Sequence, residues 1–244
     1  MPERMPAGQT SHRIVIVLSG QIASEDGFCE LIRRQDLLIC ADGGARHLHR
    51  IGRLPDRLVG DLDSIDPADL AWIEQHQVPI VRFPSVKDET DAELAVEASL
   101  ELLCEKKGLA RETLSPADVE LIFLAVLGGR PDHVLANQLM AVKLAEHGFS
   151  VLLSDGQSRM IPVVGPAQLH VPAPARQATD WAISAIPVSP VITGLSYTGL
   201  QYPLHNATLE RGSCRGVSNR PADGQPIEVN LESGALLIIL TPAI

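Results

Sequence analysis

The sequence predicts an α/β fold with a parallel sheet over residues 13–155, followed by an all-β domain over 156–244, a sandwich or small barrel. Three observations carry this. Short, continuous apolar runs recur in the first part and end in glycines or carboxylates. Segments with helical periodicity lie between them. After about residue 156 Pro, Gly, Ser and Thr become frequent and the helical periodicity stops.

RIVIVLSG, from Arg13, reads as a strand buried on both faces, because a parallel sheet covered by helices gives runs without polar alternation. LLICADGG near Leu37 and RLVGDLDS near Arg57 repeat the pattern, as do PIVRFPSVKD from Pro79, LIFLAVLGGR from Leu121 and SVLLSD from Ser150. The spacing predicts a helix over 91–107, with Leu94, Ala95, Ala98 and Leu102 on one face. Thr90 and Glu93 form a capping box at its start and Gly108 stops it. A second helix is expected over 133–147, with Leu135, Leu139 and Val142 on one face, Asp132 as N-cap and Gly148 as terminator. Strand alternating with helix implies a parallel sheet covered on both sides. QLHV, DWAISAIPV, QPIEVNL and ALLIIL read as short strands of the second domain.

At 244 residues and 45% apolar composition the chain can bury a sizeable core, and with 3% aromatics that core must be aliphatic. A net charge of -10 excludes nucleic acid and an anionic membrane as main partners. No run of 18 apolar residues suggests a span, and the N-terminus lacks the apolar centre of a secretory signal, so the cytoplasm is expected. Cys29, Cys40, Cys104 and Cys214 show no CxxC or zinc spacing and read as buried thiols in a reducing compartment.

Four polar clusters share one address, the carboxyl end of an expected strand, where open parallel sheets bind ligands. They are Asp42-Gly43-Gly44, Asp61-Leu62-Asp63-Ser64, Lys87-Asp88-Glu89-Thr90-Asp91 and Gly128-Gly129-Arg130-Pro131-Asp132-His133. On an extended backbone Asp61 and Asp63 project from one face, and Asp88 and Asp91 share a side at a helix start. Gathered carboxylates repel unless a cation neutralises them, and Mg2+, shared with phosphates, is the natural one. Each element also has a plainer reading. Asp132 and Asp66 could be helix caps or turn residues. The paired glycines could be tight turns, and Arg130 could pair with Asp132 or Asp61 instead of phosphate. His133 could pack at a helix start. GxxxxGK[ST] and GxGxxG are both absent.

ADGGARHL, VGDLDSID, KDETDAELA and LGGRPDH, in this order, with GLQYPL and GVSN near the C-terminus, resemble the thiamine pyrophosphokinase family. The resemblance spans roughly residues 14–240. It implies an α/β nucleotide-binding domain followed by a β-sandwich thiamine-binding domain, in a homodimer with sites in clefts between subunits. It implies transfer of pyrophosphate from ATP to the thiamine hydroxyl, releasing AMP. By the same resemblance, Asp61, Asp63 and Asp91 hold metal, and Asp42, Gly43, Gly44, Asp88, Thr90, Asp132 and His133 lie near the nucleotide and phosphates. Lys87 and Arg130 stabilise the transition state, with Asp91 as candidate proton acceptor. Ser218 and Asn219 meet the thiamine pyrimidine, and Tyr202 stands where relatives carry an aromatic. Pro131 and Arg220-Pro221 depart from the family pattern. Two rivals remain: a pterin-type pyrophosphokinase on the same scaffold, and a non-catalytic nucleotide or thiamine sensor.

Overall fold

The computed structural model describes residues 11–84, 90–171, 181–222 and 225–243. The first domain alternates strand and helix as expected. Its strands are β1 (His12–Val17), β2 (Leu37–Ala41), β3 (Arg57–Gly60), β4 (Ile80–Arg82), β5 (Val119–Leu124) and β6 (Ser150–Ser154). Its helices are α1 (Glu25–Leu31), α2 (Ala45–Arg50), α3 (Pro67–Gln75), α4 (Asp91–Lys107) and α5 (Pro131–Glu146).

Neighbouring pairs among β1 to β6 are parallel, in the order β4-β3-β2-β1-β5-β6. The chain builds outward from β1 to β4, then returns through α4 to β5 on the other side of β1. That reversal is a topological switch point, and loops at the carboxyl ends of such strands form ligand crevices. Side chains alternate between the two faces, as the strand period of two requires. Ile14, Ile16, Ile39 and Phe123 pack on one face with α4 and α5, while Val15, Val17, Leu38 and Ile122 pack on the other with Phe28, Leu48 and Ile73 of α1 to α3. Both sets are nearly inaccessible to solvent, which is why these strands read as unbroken apolar runs.

The second domain consists of β7 (Arg159–Val164), β8 (Ala167–Val171), β9 (Trp181–Pro187), β10 (Val191–Thr198), β11 (Leu204–Glu210), β12 (Ile227–Leu231) and β13 (Ala235–Pro242). Among the described residues the first sheet does not stop at β6. It continues antiparallel as β6-β7-β13-β9, so nine strands form one sheet. A second sheet, β11-β10-β12-β8, faces its β7-β13-β9 end across an apolar core that includes Ile183, Ile238, Ile192, Leu195 and Val229. The sandwich therefore borrows one layer from the sheet of the first domain.

Some expectations need correction. Asp132 does not cap α5. The helix starts two residues earlier, with Pro131 at its first position and Arg130 as the capping residue, which gives no side-chain cap bond. Proline suits that position because its missing N–H would have no partner there. Only Cys40 and Cys104 are buried; Cys29 and Cys214 are exposed, and all four are free thiols.

Candidate active site

The acidic site begins where β2 ends. The chain leaves Ala41 into a single 3-10 turn, Asp42–Gly44, that leads into α2. Asp42 sits at φ 40 and its side chain turns inward, 3% exposed. Gly44 is packed so closely on β1 that a Cβ there would lie 2.3 Å from the Val17 carbonyl oxygen. Steric need thus accounts for this glycine without any ligand.

The next loop, after β3, meets Asp42. Leu62 adopts φ 68, and the Asp63 amide donates to Asp61 Oδ1 at 3.0 Å. Asp61 and Asp63 therefore project from a tight turn, not from the extended backbone the spacing suggested. The Leu62 amide donates to Asp42 Oδ1 at 2.9 Å and ties the two loops together. One carboxylate oxygen from each of Asp42, Asp61 and Asp63 lies within 4.8 Å of the others. Asp42 Oδ2 is buried, and among the described residues no donor reaches it. Burial pushes the Asp42 carboxyl up to about 6, against the Leu62 amide bond; the negative charges of Asp91, Asp61 and Asp63 push the same way as burial. Asp91, expected beside Asp61 and Asp63 as a metal residue, acts on the cluster through its charge and is not one of these three. Asp42 is a member of the metal-capable group that sequence spacing alone did not reveal, because it lies 19 residues from Asp61 and only the parallel pairing of β2 with β3 brings them together.

Asp91 is the first residue of α4. The capping box is present: Thr90 Oγ1 accepts from the Glu93 amide at 3.3 Å, and Glu93 Oε2 accepts from the Thr90 amide at 2.9 Å. Thr90 is thereby committed to holding the helix start that presents Asp91. Lys87 and Asp88 lie outside the described residues.

The loop after β5 is hydrogen-bonded to the loop after β1 through Gly20 N to Ala125 O at 2.7 Å and Gln21 N to Leu127 O at 2.8 Å. Gly128 and Gly129 both have left-handed φ, 75 and 74. Arg130 donates to Asp132 through Nη2 at 2.6 Å and Nε at 3.2 Å. This fork holds the exposed Asp132 carboxyl down to about 2. The ion-pair alternative for Arg130 is therefore realised. Asp132 and His133 are exposed on the first turn of α5.

A cavity of about 510 Å³ opens beside the carboxylates, lined by Gly43, Arg46, Asp63, Ser64, Asp66 and Asp69 among others. Arg46 escaped the sequence reading. It donates through Nη2 to the carbonyls of Ser19 and Gly20, bracing α2 against the loop after β1. A cation two residues beyond the DGG motif was the available signal. Asp66 caps α3, accepting from the Ala68 amide at 2.8 Å, so its turn-residue reading holds. Another depression, of about 410 Å³ around Glu101, Cys104 and Leu109, lies at the opposite end of α4 from Asp91 and has no share in this cluster.

In the second domain Tyr202 is 70% exposed and Ser218 is exposed at φ 57, whereas Asn219 is 4% exposed. The Asn219 amide bonds to the backbone of the Tyr202 loop.

Residues 28–153 match the family model "Thiamin pyrophosphokinase, catalytic domain", and residues 168–236 match "Thiamin pyrophosphokinase, vitamin B1 binding domain". A thiamine pyrophosphokinase of Bacillus subtilis is 30% identical over 183 residues, 75% of this chain and 77% of that protein. The crystal structure of a Bacillus subtilis thiamine pyrophosphokinase superposes with TM-score 0.76 at 24% identity, covering 95% of this chain and 99% of that one. That of the Candida albicans thiamin pyrophosphokinase does so with TM-score 0.76 at 20% identity, covering 95% and 89%. Among the described residues no helix is long and apolar enough to cross a membrane. With both parts of the chain matched in order, and the carboxylate motifs converging as geometry requires, the chain belongs to the thiamin pyrophosphokinase family.

Proposed function

We propose that the chain transfers the β,γ-pyrophosphoryl group of ATP to the hydroxyl of thiamine, giving thiamine diphosphate and AMP, with Mg2+ at Asp42, Asp61 and Asp63. Two observations support the metal: Asp42 Oδ2 is buried and among the described residues meets no donor, and one carboxylate oxygen of Asp42 lies within 4.8 Å of one each from Asp61 and Asp63. An all-oxygen, all-acidic donor set suits a hard divalent ion. A magnesium ion held there would neutralise phosphate oxygens as charge moves toward the leaving AMP. Asp91 adds its charge to the group and is the candidate acceptor of the thiamine hydroxyl proton.

Phosphoryl transfer asks for positioning and charge stabilisation more than covalent chemistry. Arg130 and Lys87 supply positive charge to the phosphates, Arg130 after exchanging Asp132 for a phosphate oxygen of similar geometry. Gly43 and Gly44, with Asp88, Thr90, Asp132 and His133, border the nucleotide. Tyr202, Ser218 and Asn219 belong to the thiamine end. The acidic field also draws in thiamine, a cation. We divide the chain at 13–155 and 156–244, a division supported by the two matched segments. We take the molecule to be a cytoplasmic homodimer. The exposed apolar side chains of Leu135, Leu139, Tyr202 and Val217 support an interface, and four free thiols suit a reducing compartment.

Incubation with ATP, Mg2+ and thiamine, with and without chelator, tests the reading; AMP and thiamine diphosphate should appear only when all three are present. Asp91→Asn should abolish AMP formation and keep the fold. Turnover of a hydroxymethylpterin in place of thiamine, or binding without AMP, would overturn it.

A further inference from the structure

Asn219 is a buried polar side chain of the second domain with three hydrogen bonds. Its Nδ2 donates to the Tyr202 carbonyl at 2.7 Å, and its Oδ1 accepts from the Tyr202 amide at 3.1 Å and the Arg220 amide at 2.9 Å. The buried Tyr197 phenol is pushed up by burial, and the Asn219 side chain opposes that push. An Asn side chain offers two donor hydrogens and one acceptor oxygen with two lone pairs, so both lone pairs are taken here and one donor hydrogen is left.

The backbone around it is equally engaged. Asn219 N donates to Ile183 O at 3.0 Å and Ile183 N to Asn219 O at 2.8 Å, on the edge strand β9. Ser218 N donates to Ser184 Oγ at 3.0 Å. On the other side, Gln201 N donates to Arg220 O at 2.8 Å and Ala222 N to Gly199 O at 2.8 Å. Residues 218–222 are therefore stitched between the nine-stranded sheet and the loop joining β10 to β11. Tyr202 lies in that loop, and its ring is mostly in solvent. An aromatic side chain held outward on a backbone clamped at both its N–H and its C=O is pre-organised for contact, since little loop entropy is left to lose.

We infer that Asn219 is a positioning residue, which fixes the Tyr202 loop at the thiamine end and does not itself touch substrate. This rests on the proposed thiamine kinase reading and assigns a division of labour within it: Tyr202 makes contact and Asn219 sets its pose.

A double-mutant cycle tests it. The thiamine KM and kcat are measured for wild type, Asn219→Ala, Tyr202→Ala and the double variant, with ATP KM as reference. The single variants should each raise thiamine KM roughly tenfold, the order expected for about 1.4 kcal/mol of lost pre-organisation. Both should leave kcat and ATP KM within about twofold, and the double variant should be no worse than Tyr202→Ala alone. Asn219→Asp keeps both acceptor contacts but sets an oxygen against the Tyr202 carbonyl in place of the donor, so it too should raise thiamine KM. It also guards against a failure of the alanine variant to fold. A thiamine KM that rises further when Asn219→Ala is added to Tyr202→Ala would mean direct contact and overturn the proposal. An unchanged KM in Asn219→Asp and Asn219→Ala would overturn it too. Absence of thiamine-dependent AMP formation in wild type would instead remove the functional reading.

Discussion

The carboxylate of Asp42 occupies the space where Gly60 would carry a side chain: a Cβ built on Gly60 would lie 2.1 Å from Asp42 Oδ1. Gly60 has φ 150 and is the last residue of β3, immediately before Asp61. One glycine therefore lets the end of β2 and the end of β3 come together with both sets of acids intact.

Gly60→Ala should consequently cost more than stability. The methyl must displace Asp42, break its bond from the Leu62 amide, or push β3 out of register. We expect a loss of about 1–3 kcal/mol from backbone strain, together with loss of AMP formation beyond tenfold. Gly52→Ala is the control. It also forces a left-handed φ of 65, but its added Cβ meets nothing within 4 Å. It should lower Tm and leave kcat near wild type. Equal activity losses in the two variants, measured on folded protein, would show that strain alone is responsible.

Asp42→Asn separates electrostatics from metal binding. Without metal, the substitution removes one charge from a mutually repelling, partly buried group and supplies an amide donor to its acidic neighbours, so Tm should rise above wild type. Wild type should gain about 2.7 kcal/mol when Mg2+ is raised to a hundred times its dissociation constant; Asp42→Asn should gain little. Thermal unfolding with and without Mg2+ reads both effects without any turnover assay. A full Mg2+ shift in the variant would take Asp42 out of the ligand set.

Much of this site was legible because strand ends are marked by abrupt chemistry: an apolar run that stops in DGG or GDLDS announces both the strand and its loop. The α4 start was equally plain, since Thr90 and Glu93 satisfy the helix end by themselves. Asp42 as a partner of Asp61 and Asp63 was not, because sequence spacing carries no strand order. The strands β7, β10 and β11 also escaped. Pro162 sits inside β7, where a strand is not expected to carry proline, and β10 pairs with β11 through register shifts, with Gly194 at φ 68 and Asn206 at φ 45. The inward turn of Asn219 was hidden because its partners are backbone atoms, to which residue identity gives no clue.

His47 gives a pH dependence unrelated to metal. It is 6% exposed, and its Nε2 lies 2.9 Å from the Gly20 carbonyl, which the ring satisfies as donor. Burial lowers its pKa; the Gly20 bond and Asp69 oppose that, and Arg46 and Arg50 reinforce it. The folded protein then binds fewer protons than the unfolded chain, whose histidine titrates near about 6.5. Stability from this group is therefore fully present above about 6.5 and is lost as pH falls through the lowered folded value. His47→Gln keeps a donor for Gly20 and has no such titration. Its Tm should fall less than that of wild type between pH 7.5 and 5; parallel Tm profiles would reject the assignment.

The end of the sheet remote from the carboxylates offers a test of stability without function. Arg13 donates to Asp36 Oδ1 and Oδ2 at 3.0 and 3.1 Å through Nη1, and to Glu120 Oε2 at 2.8 Å through Nε. The three side chains are 11%, 0% and 16% exposed, at the start of β1, before β2 and in β5. Arg13→Met takes the cation from the buried Asp36, which among the described residues keeps only the Arg33 amide, and from the half-buried Glu120, and should cost about 3 kcal/mol. Desolvation offsets most of what such a triad gains, so replacing all three with Arg13→Met, Asp36→Leu and Glu120→Met should recover most of the loss. Turnover per folded molecule should stay at the wild-type value in both proteins. Chemical unfolding measures the first effect, and kcat below the unfolding transition the second. A triple variant as unstable as Arg13→Met would mean that the triad sets the packing of β1 against β5 through more than its charges.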